Sequence, residues 1–190
     1  MGLLLERHGS AGKTVIPLEL AVPAGPVIVE AEQPDDTFLS VTAKARRELI
    51  GDPLLHTYDK GSAGRAWAFL HSGRPSRLVV KAKGEWTVRV HDIGSASPLD
   101  GSTVSRTGCD VLAYHGAAGD AVVDYVKAAT ELDTDSIHVH LLPAGSVTPR
   151  DVDWPVVSSE SARHTFRLPG PCHLFIRTDG TWSMAVARVG

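Results

Sequence analysis

Alternation of apolar and polar residues with a period of two dominates the chain, and helical periodicity is scarce. Segments such as SRLVVKAKGEWTVRV (76–90) and CHLFIRTDGTWSMAV (172–186) place aliphatic side chains at alternate positions between clusters of Gly, Pro, Asp and Ser. Such runs read as half-buried strands separated by turns. The pattern predicts strands near 13–20, 26–32, 37–44, 54–58, 65–70, 77–82 and 86–91. A second set follows near 109–114, 119–126, 136–142, 152–156, 162–167, 173–178 and 182–187. One stretch is contested: DAVVDYVKAATEL (120–132) puts Val122, Tyr125, Val126 and Ala129 on a helical face, while its β-branched residues favour a strand. Two sets of seven short strands predict sandwiches rather than one sheet.

The second half echoes the first. Laying Trp86 on Trp182 aligns the two closing hairpins without a gap, so that Leu78 meets Leu174, Val80 meets Ile176 and Gly84 meets Gly180. The same offset lays Gly12 over Gly108, Val15 over Val111 and Ile16 over Leu112. A shift two residues shorter lays GPVIVEA (25–31) over GDAVVDY (119–125), and DDTFLSV then corresponds to TDSIHVH. Repeats of this kind mark copies of one structural unit. Lys83-Gly84 and Asp179-Gly180 are expected to supply the positive φ of tight hairpin turns. The tryptophan after each turn is expected to pack between sheets.

These segments, with the closing "L-x-I-x-x-x-G-x-W-x-I/M-x-V" hairpin, resemble uncharacterised actinobacterial tandem β-sandwich repeat proteins. The resemblance covers most of both halves and implies a fold class without an activity. It implies an all-β chain of two tandem, homologous antiparallel β-sandwich modules (Ig-like or jelly-roll-like), at 1–94 and 95–190, joined by GSASPLDGS (94–102).

Gly12-Lys13-Thr14 invites comparison with a phosphate-binding loop, but Arg7 stands where the first glycine belongs and Pro17, Pro23 and Pro26 follow where a helix should open. Its counterpart Gly108-Cys109-Asp110-Val111 lacks Lys-Thr, so the motif reads as a turn leading into a strand. Hydrophobic residues make up 43% of the 190 positions and charged residues 22%, as expected of a globular domain. A formal charge of −3, with Arg46-Arg47 outside any basic stripe, predicts no nucleic-acid partner. No run approaches the roughly 20 apolar residues of a membrane span. The start MGLLLERHGS fits neither a signal-peptide core nor a myristoylation motif, so no membrane association and a cytoplasmic location are expected.

Nine histidines give metal binding a hearing. His138 and His140 share one face of a strand, a chelating spacing, and His115 is the candidate third ligand, with His164 and His173 in the same half. No cofactor is expected beyond that possible divalent metal. Cys109 and Cys172 are read as free thiols, with a disulfide as the alternative. The neighbouring Cys172 and His173 point to opposite faces and cannot act together. Asp35-Asp36 and Asp133/Asp135 read as turn-capping carboxylates, with a calcium site as the alternative. No G-x-S-x-G signature occurs. Trp67 and Trp154 do not align on tryptophans in the other half and are candidate exposed platforms for a ligand or sugar. The expected function is a non-catalytic structural or protein-interaction module, with a protein partner or self-association. The alternatives are metal or small-ligand binding at the His138/His140 strand and carbohydrate binding by an exposed tryptophan.

Overall fold

In a computed structural model, residues 2–18, 25–35, 37–45, 54–57, 64–70, 76–129 and 135–187 are described. Arg46, Arg47, the segment 48–52, Asp36 and Asp133 lie outside them. The chain divides into two compact units, residues 1–95 and 96–190.

The first unit runs β1 (Leu3–Gly9), β2 (Gly12–Pro17), β3 (Gly25–Glu32), β4 (Leu39–Ala45), β5 (Leu55–Thr57), β6 (Gly64–Leu70), β7 (Ser76–Ala82) and β8 (Trp86–Asp92). The second runs β9 (Ser97–Pro98), β10 (Val104–Thr107), β11 (Asp110–Tyr114), β12 (Gly119–Val126), β13 (Ile137–Pro143), β14 (Asp153–Ser158), β15 (Ala162–Leu168), β16 (Cys172–Arg177) and β17 (Thr181–Ala187). One sheet of the first unit is ordered β1-β8-β3-β6 and the other β2-β7-β4-β5. The second unit gives β10-β17-β12-β15 and β14-β13-β16-β11-β9. Both share the order of an eight-stranded jelly roll; the second adds β9, paired parallel with β11 on a sheet edge. The chain is all-β, and both units are β-sandwiches.

Among the described residues the first unit therefore has one strand more than the seven predicted, β1, and the second has two more, β9 and β10; β1 and β10 carry too little alternation to be read. Only Leu5 in β1 and Val104 in β10 are buried. Each lies at the end of its sheet's strand order and buries one position only. The segment expected to be a linker is partly structural: Ser97 and Pro98 pair with Leu112 and Ala113. Of the contested stretch, residues 120–126 are strand, paired on both sides within a sheet, and 130–132 lie outside the described residues. Ala121, Val123 and Tyr125 point inward, and Val126, assigned to the helical face, is 62% exposed.

Inward side chains of both sheets build the core of the second unit. Ala121, Val123, Phe166 and Met184 meet Leu112, Val139, Leu174 and Ile176. Trp182 is 1% exposed there and Trp86 is 2% exposed in the first unit. Each indole donates its N–H to a carbonyl of the turn between the first two long strands, Trp86 to Ser10 at 3.0 Å and Trp182 to Gly108 at 2.8 Å. Burial of a ring this size contributes a few kcal/mol, and the hydrogen bond satisfies its polar atom. Register agrees as well: Thr14 faces Val80 and Val41 faces Val80, while Asp110 faces Ile176 and Val139 faces Ile176. That pairing lays LSVT (39–42), not FLSV, on IHVH (137–140), a one-residue correction to the alignment.

Gly84 and Gly180 do not adopt the positive φ expected of them. Their requirement is space. A Cβ on Gly84 would sit 2.8 Å from Thr37 Oγ1, and one on Gly180 would strike the Val126 carbonyl and approach Tyr125 and Asp135. Positive φ occurs instead at Gly12 (126°) and Gly108 (78°), at the starts of β2 and β11. Gly12-Lys13-Thr14 opens an extended strand that continues to Pro17 and pairs with β7, so its backbone serves the sheet.

Candidate functional site

Along β13 the sequence Ile-His-Val-His-Leu sends Ile137, Val139 and Leu141 into the core and both imidazoles to the outer face. The rings lie 6.3 Å apart between centroids, at 23° to each other. Next to β13 runs the edge strand β14, and their register slips between Val139 and Leu141: Val139 faces Val156, but Leu141 faces Asp153. Trp154 and Pro155 thus stand opposite the single residue His140, in a bulge where proline's missing N–H costs no ladder bond. The bulge brings the Trp154 ring to 4.2 Å from His140 and 6.3 Å from His138. Phe175 on β16 lies 5.3 Å from His140 on the same face.

Both imidazoles are neutral at neutral pH. Burial, then His138, then Arg177 push His140 down to about 4. Burial and then Arg177 lower His138. His138 Nε2 lies 3.0 Å from the Ser136 hydroxyl, and its buried Nδ1 has no hydrogen-bond partner among the described residues. A neutral imidazole is the form that ligates a metal or makes neutral hydrogen bonds. His115 is not brought to this pair. It stands past the end of β11, four residues beyond Val111, whose row holds Phe175 and His140. That is roughly 13 Å along the strands and about 9.5 Å across two strand spacings. Among the described residues no group of three His, Cys, Asp or Glu surrounds a common point. His173 lies on the outer face, and His164 on β15 opposite Val123.

The two candidate tryptophans differ. Trp154 is 56% exposed. Trp67, on β6, is 6% exposed and set edge-on to Phe69 at 6.1 Å. The expectation of an exposed Trp67 platform is therefore corrected: alternation set the face of that residue but not what covers it.

The thiols are free, which settles the disulfide alternative. Cys172 lies level with Tyr114, whereas Cys109 precedes Asp110 at the other end of the β11–β16 ladder, about 17 Å away and beyond the roughly 7 Å limit for bridging. Burial pushes both thiols up to about 11. Neither is a nucleophile at neutral pH. Asp135 is 5% exposed and fully engaged: Oδ2 accepts from the Tyr125 hydroxyl (2.7 Å) and Ala128 N–H (2.8 Å), Oδ1 from the Thr178 hydroxyl (3.1 Å) and Asp179 N–H (3.0 Å). It ties a turn together.

Sequence reasoning missed one charged cluster. On the outer face of β1-β8-β3-β6, Arg89 bonds Glu6 (2.8 Å), Glu30 (3.0 Å) and Glu32 (3.1 Å). Those carboxylates, Glu6 foremost, hold its guanidinium charged well beyond the ordinary range. Glu30-Ala31-Glu32 shows two acids on one strand face, but β1, which supplies Glu6, left no readable pattern. The cluster is a partly buried network of one guanidinium and three carboxylates, with Glu32 its most exposed member.

Fold and site together define a β-sandwich protein of two jelly-roll units with an aromatic–imidazole patch on one outer sheet face. No family model matches the chain, and no curated protein matches it. Among solved structures it is similar to a fucolectin, an f-lectin from striped bass (Morone saxatilis) serum, at 9% identity and TM-score 0.25, over 95% of this chain and 84% of that one. It is also similar to the plant receptor-like kinase FER at 7% identity and TM-score 0.30, over 97% and 83%. A GH2 β-galacturonidase from Eisenbergiella tayi shows 11% identity and TM-score 0.27, with 86% of this chain covering 28% of that one. Likeness this weak carries no argument about ligand or activity, and the fold assignment stands on strand order and register.

Proposed function

We propose that the chain is a non-catalytic binding protein, a duplicated pair of β-sandwich modules that contacts a protein partner through the outer face of β13 and β14. The exposed Trp154 carries this reading. A large aromatic ring held by a bulge and backed by His140 is the kind of side chain that anchors protein interfaces. Val157, 60% exposed on the same strand, extends the apolar surface. Neutral imidazoles beside it can be desolvated without burying charge. The matched strand orders and paired tryptophans support the duplication, and the free thiols suit a reducing cytoplasm.

The simplest partner is a second copy. Light scattering during size exclusion, over a wide concentration range, should show the native chain associating and Trp154→Ala remaining monomeric. A monomer throughout, with Trp154 equally open to quencher at every concentration, sinks self-association. A second reading is favoured by the same ring: an indole face flanked by hydrogen-bonding imidazoles suits a sugar, through Trp154 and not Trp67. A glycan panel read by tryptophan fluorescence tests it, and no shift removes it. Divalent metal at His138 and His140 is tested by metal analysis of untagged protein, with His138→Ala and His140→Ala as controls; nil stoichiometry discards it.

A further inference from the structure

The second unit departs from the first at one end of the sandwich. β9 lengthens the sheet beyond β11, and Leu99 N–H continues the pairing by donating to the Ala113 carbonyl at 2.8 Å. Among the described residues the sheet β2-β7-β4-β5 has no such strand. The chain then turns at Asp100, whose Oδ1 accepts from both the Ser102 hydroxyl (2.8 Å) and the Ser102 N–H (3.4 Å), while Gly101 takes φ 93°. On the other side, the Tyr114 hydroxyl donates to the Ala117 carbonyl at 2.7 Å. Its ring crosses Gly116 so closely that a Cβ there would collide with it.

Between these two turns opens a cleft of about 400 Å³, lined by Leu99, Ala113, Tyr114 and Val186 on its apolar side and by Asp100 and His115 on its polar side. That volume falls at the small end of the roughly 300–1,000 Å³ typical of small-molecule sites. Asp100 is the lone carboxylate in the lining. Both Ser102 bonds fall on Oδ1, so Oδ2 keeps its acceptor capacity for an incoming donor. A carboxylate beside apolar walls selects a cation, because the charge-assisted bond forms where the ligand's body also sheds water.

We propose that this cleft binds a small organic ammonium ion, its apolar body between Leu99, Tyr114 and Val186 and its cation on Asp100. The site is separate from the Trp154 face and does not depend on it. An NMR titration of the full chain with 2-phenylethylammonium tests the idea, using 2-phenylethanol and phenylacetate as neutral and anionic counterparts. The expected result is saturable shifts confined to the amides of Leu99–Gly101 and Ala113–Gly116. The alcohol should bind about tenfold more weakly or worse, and phenylacetate not at all. Asp100→Asn should weaken the ammonium by a similar factor, and Val186→Phe, which fills the cleft, should abolish binding. Preserved spectral dispersion in both variants shows that they fold. No saturable shift up to millimolar ligand, equal binding of the alcohol, or an unaffected Asp100→Asn or Val186→Phe each overturns the proposal.

Discussion

Replacing Asp135 tests whether the second unit depends on a single buried carboxylate. Asp135→Ala removes the acceptor of four hydrogen bonds, two from backbone N–H groups and two from hydroxyls. A typical net bond is worth about 1 kcal/mol, and a buried donor left unmade costs about 1–3 kcal/mol. The hydroxyls can turn elsewhere; the Ala128 and Asp179 N–H groups are fixed by the chain. Together these terms place the loss at about 3–5 kcal/mol, a large share of the roughly 5–15 kcal/mol of a whole domain. Asp135→Asn keeps one acceptor oxygen and should lose about 2–3 kcal/mol. Differential scanning calorimetry should show a transition lowered by ten degrees or more, since 1 kcal/mol shifts a domain of this size by about 4–8 °C. Acid supplies a second reading. Burial opposes the charge on Asp135, but the Ala128 and Asp179 N–H groups and then the two hydroxyls outweigh it and hold its carboxyl below the ordinary value. The contribution is therefore complete above the unfolded-state value near 4 and disappears as the pH falls through the folded one. The native chain should lose stability there, and Asp135→Asn should lack that component. An Asp135→Ala protein within about 1 kcal/mol of the native chain, with an unchanged acid limb, would refute the reasoning.

His140 should titrate near 4 by imidazole NMR, and its protonation should cost the fold up to about 3 kcal/mol between pH 6.5 and 4. Because the folded value is depressed, stability is complete above 6.5 and falls with acid; His140→Phe should flatten that part of a urea-midpoint profile. Gly180→Ala should cost about 1–3 kcal/mol by overpacking against the Val126 carbonyl, Tyr125 and Asp135. Gly145→Ala, with φ 84° and open space, should cost about 1–2 kcal/mol from backbone conformation alone. Urea titrations separate the two, and swapping Gly145 for Asn should recover stability while Gly180→Asn should not.

Period-two alternation made the interior of both sandwiches legible, because a strand between two others buries one face along its length. Ile137, Val139 and Leu141, or Leu174 and Ile176, could be placed inward from sequence alone. Alternation fails where a strand touches the core once, as β1 does through Leu5 and β10 through Val104. It fails again for β9, whose two residues are too few to show any period. The glycines after the hairpins were seen at matching positions but given the wrong cause: a turn glycine and a close-approach glycine look alike in one dimension, and only the neighbours distinguish them.

The candidate site separates along the same line. Side-chain face is a local property, so the His138/His140 pair was legible; distance between strands is not, so His115 was added to it. Trp154 and Trp67 look equivalent as unmatched tryptophans, yet one is 56% and the other 6% exposed. A local signal did exist. Proline directly after Trp154, inside a strand pattern, calls for an edge or a bulge, and a bulge turns a side chain out of the regular pleat. Trp67 sits in GRAWAFL with no such breaker and stays within its row. Pro155 thus does more than mark an edge: by forcing the irregular step opposite His140, it sets the indole over the imidazole and leaves its outer side to solvent.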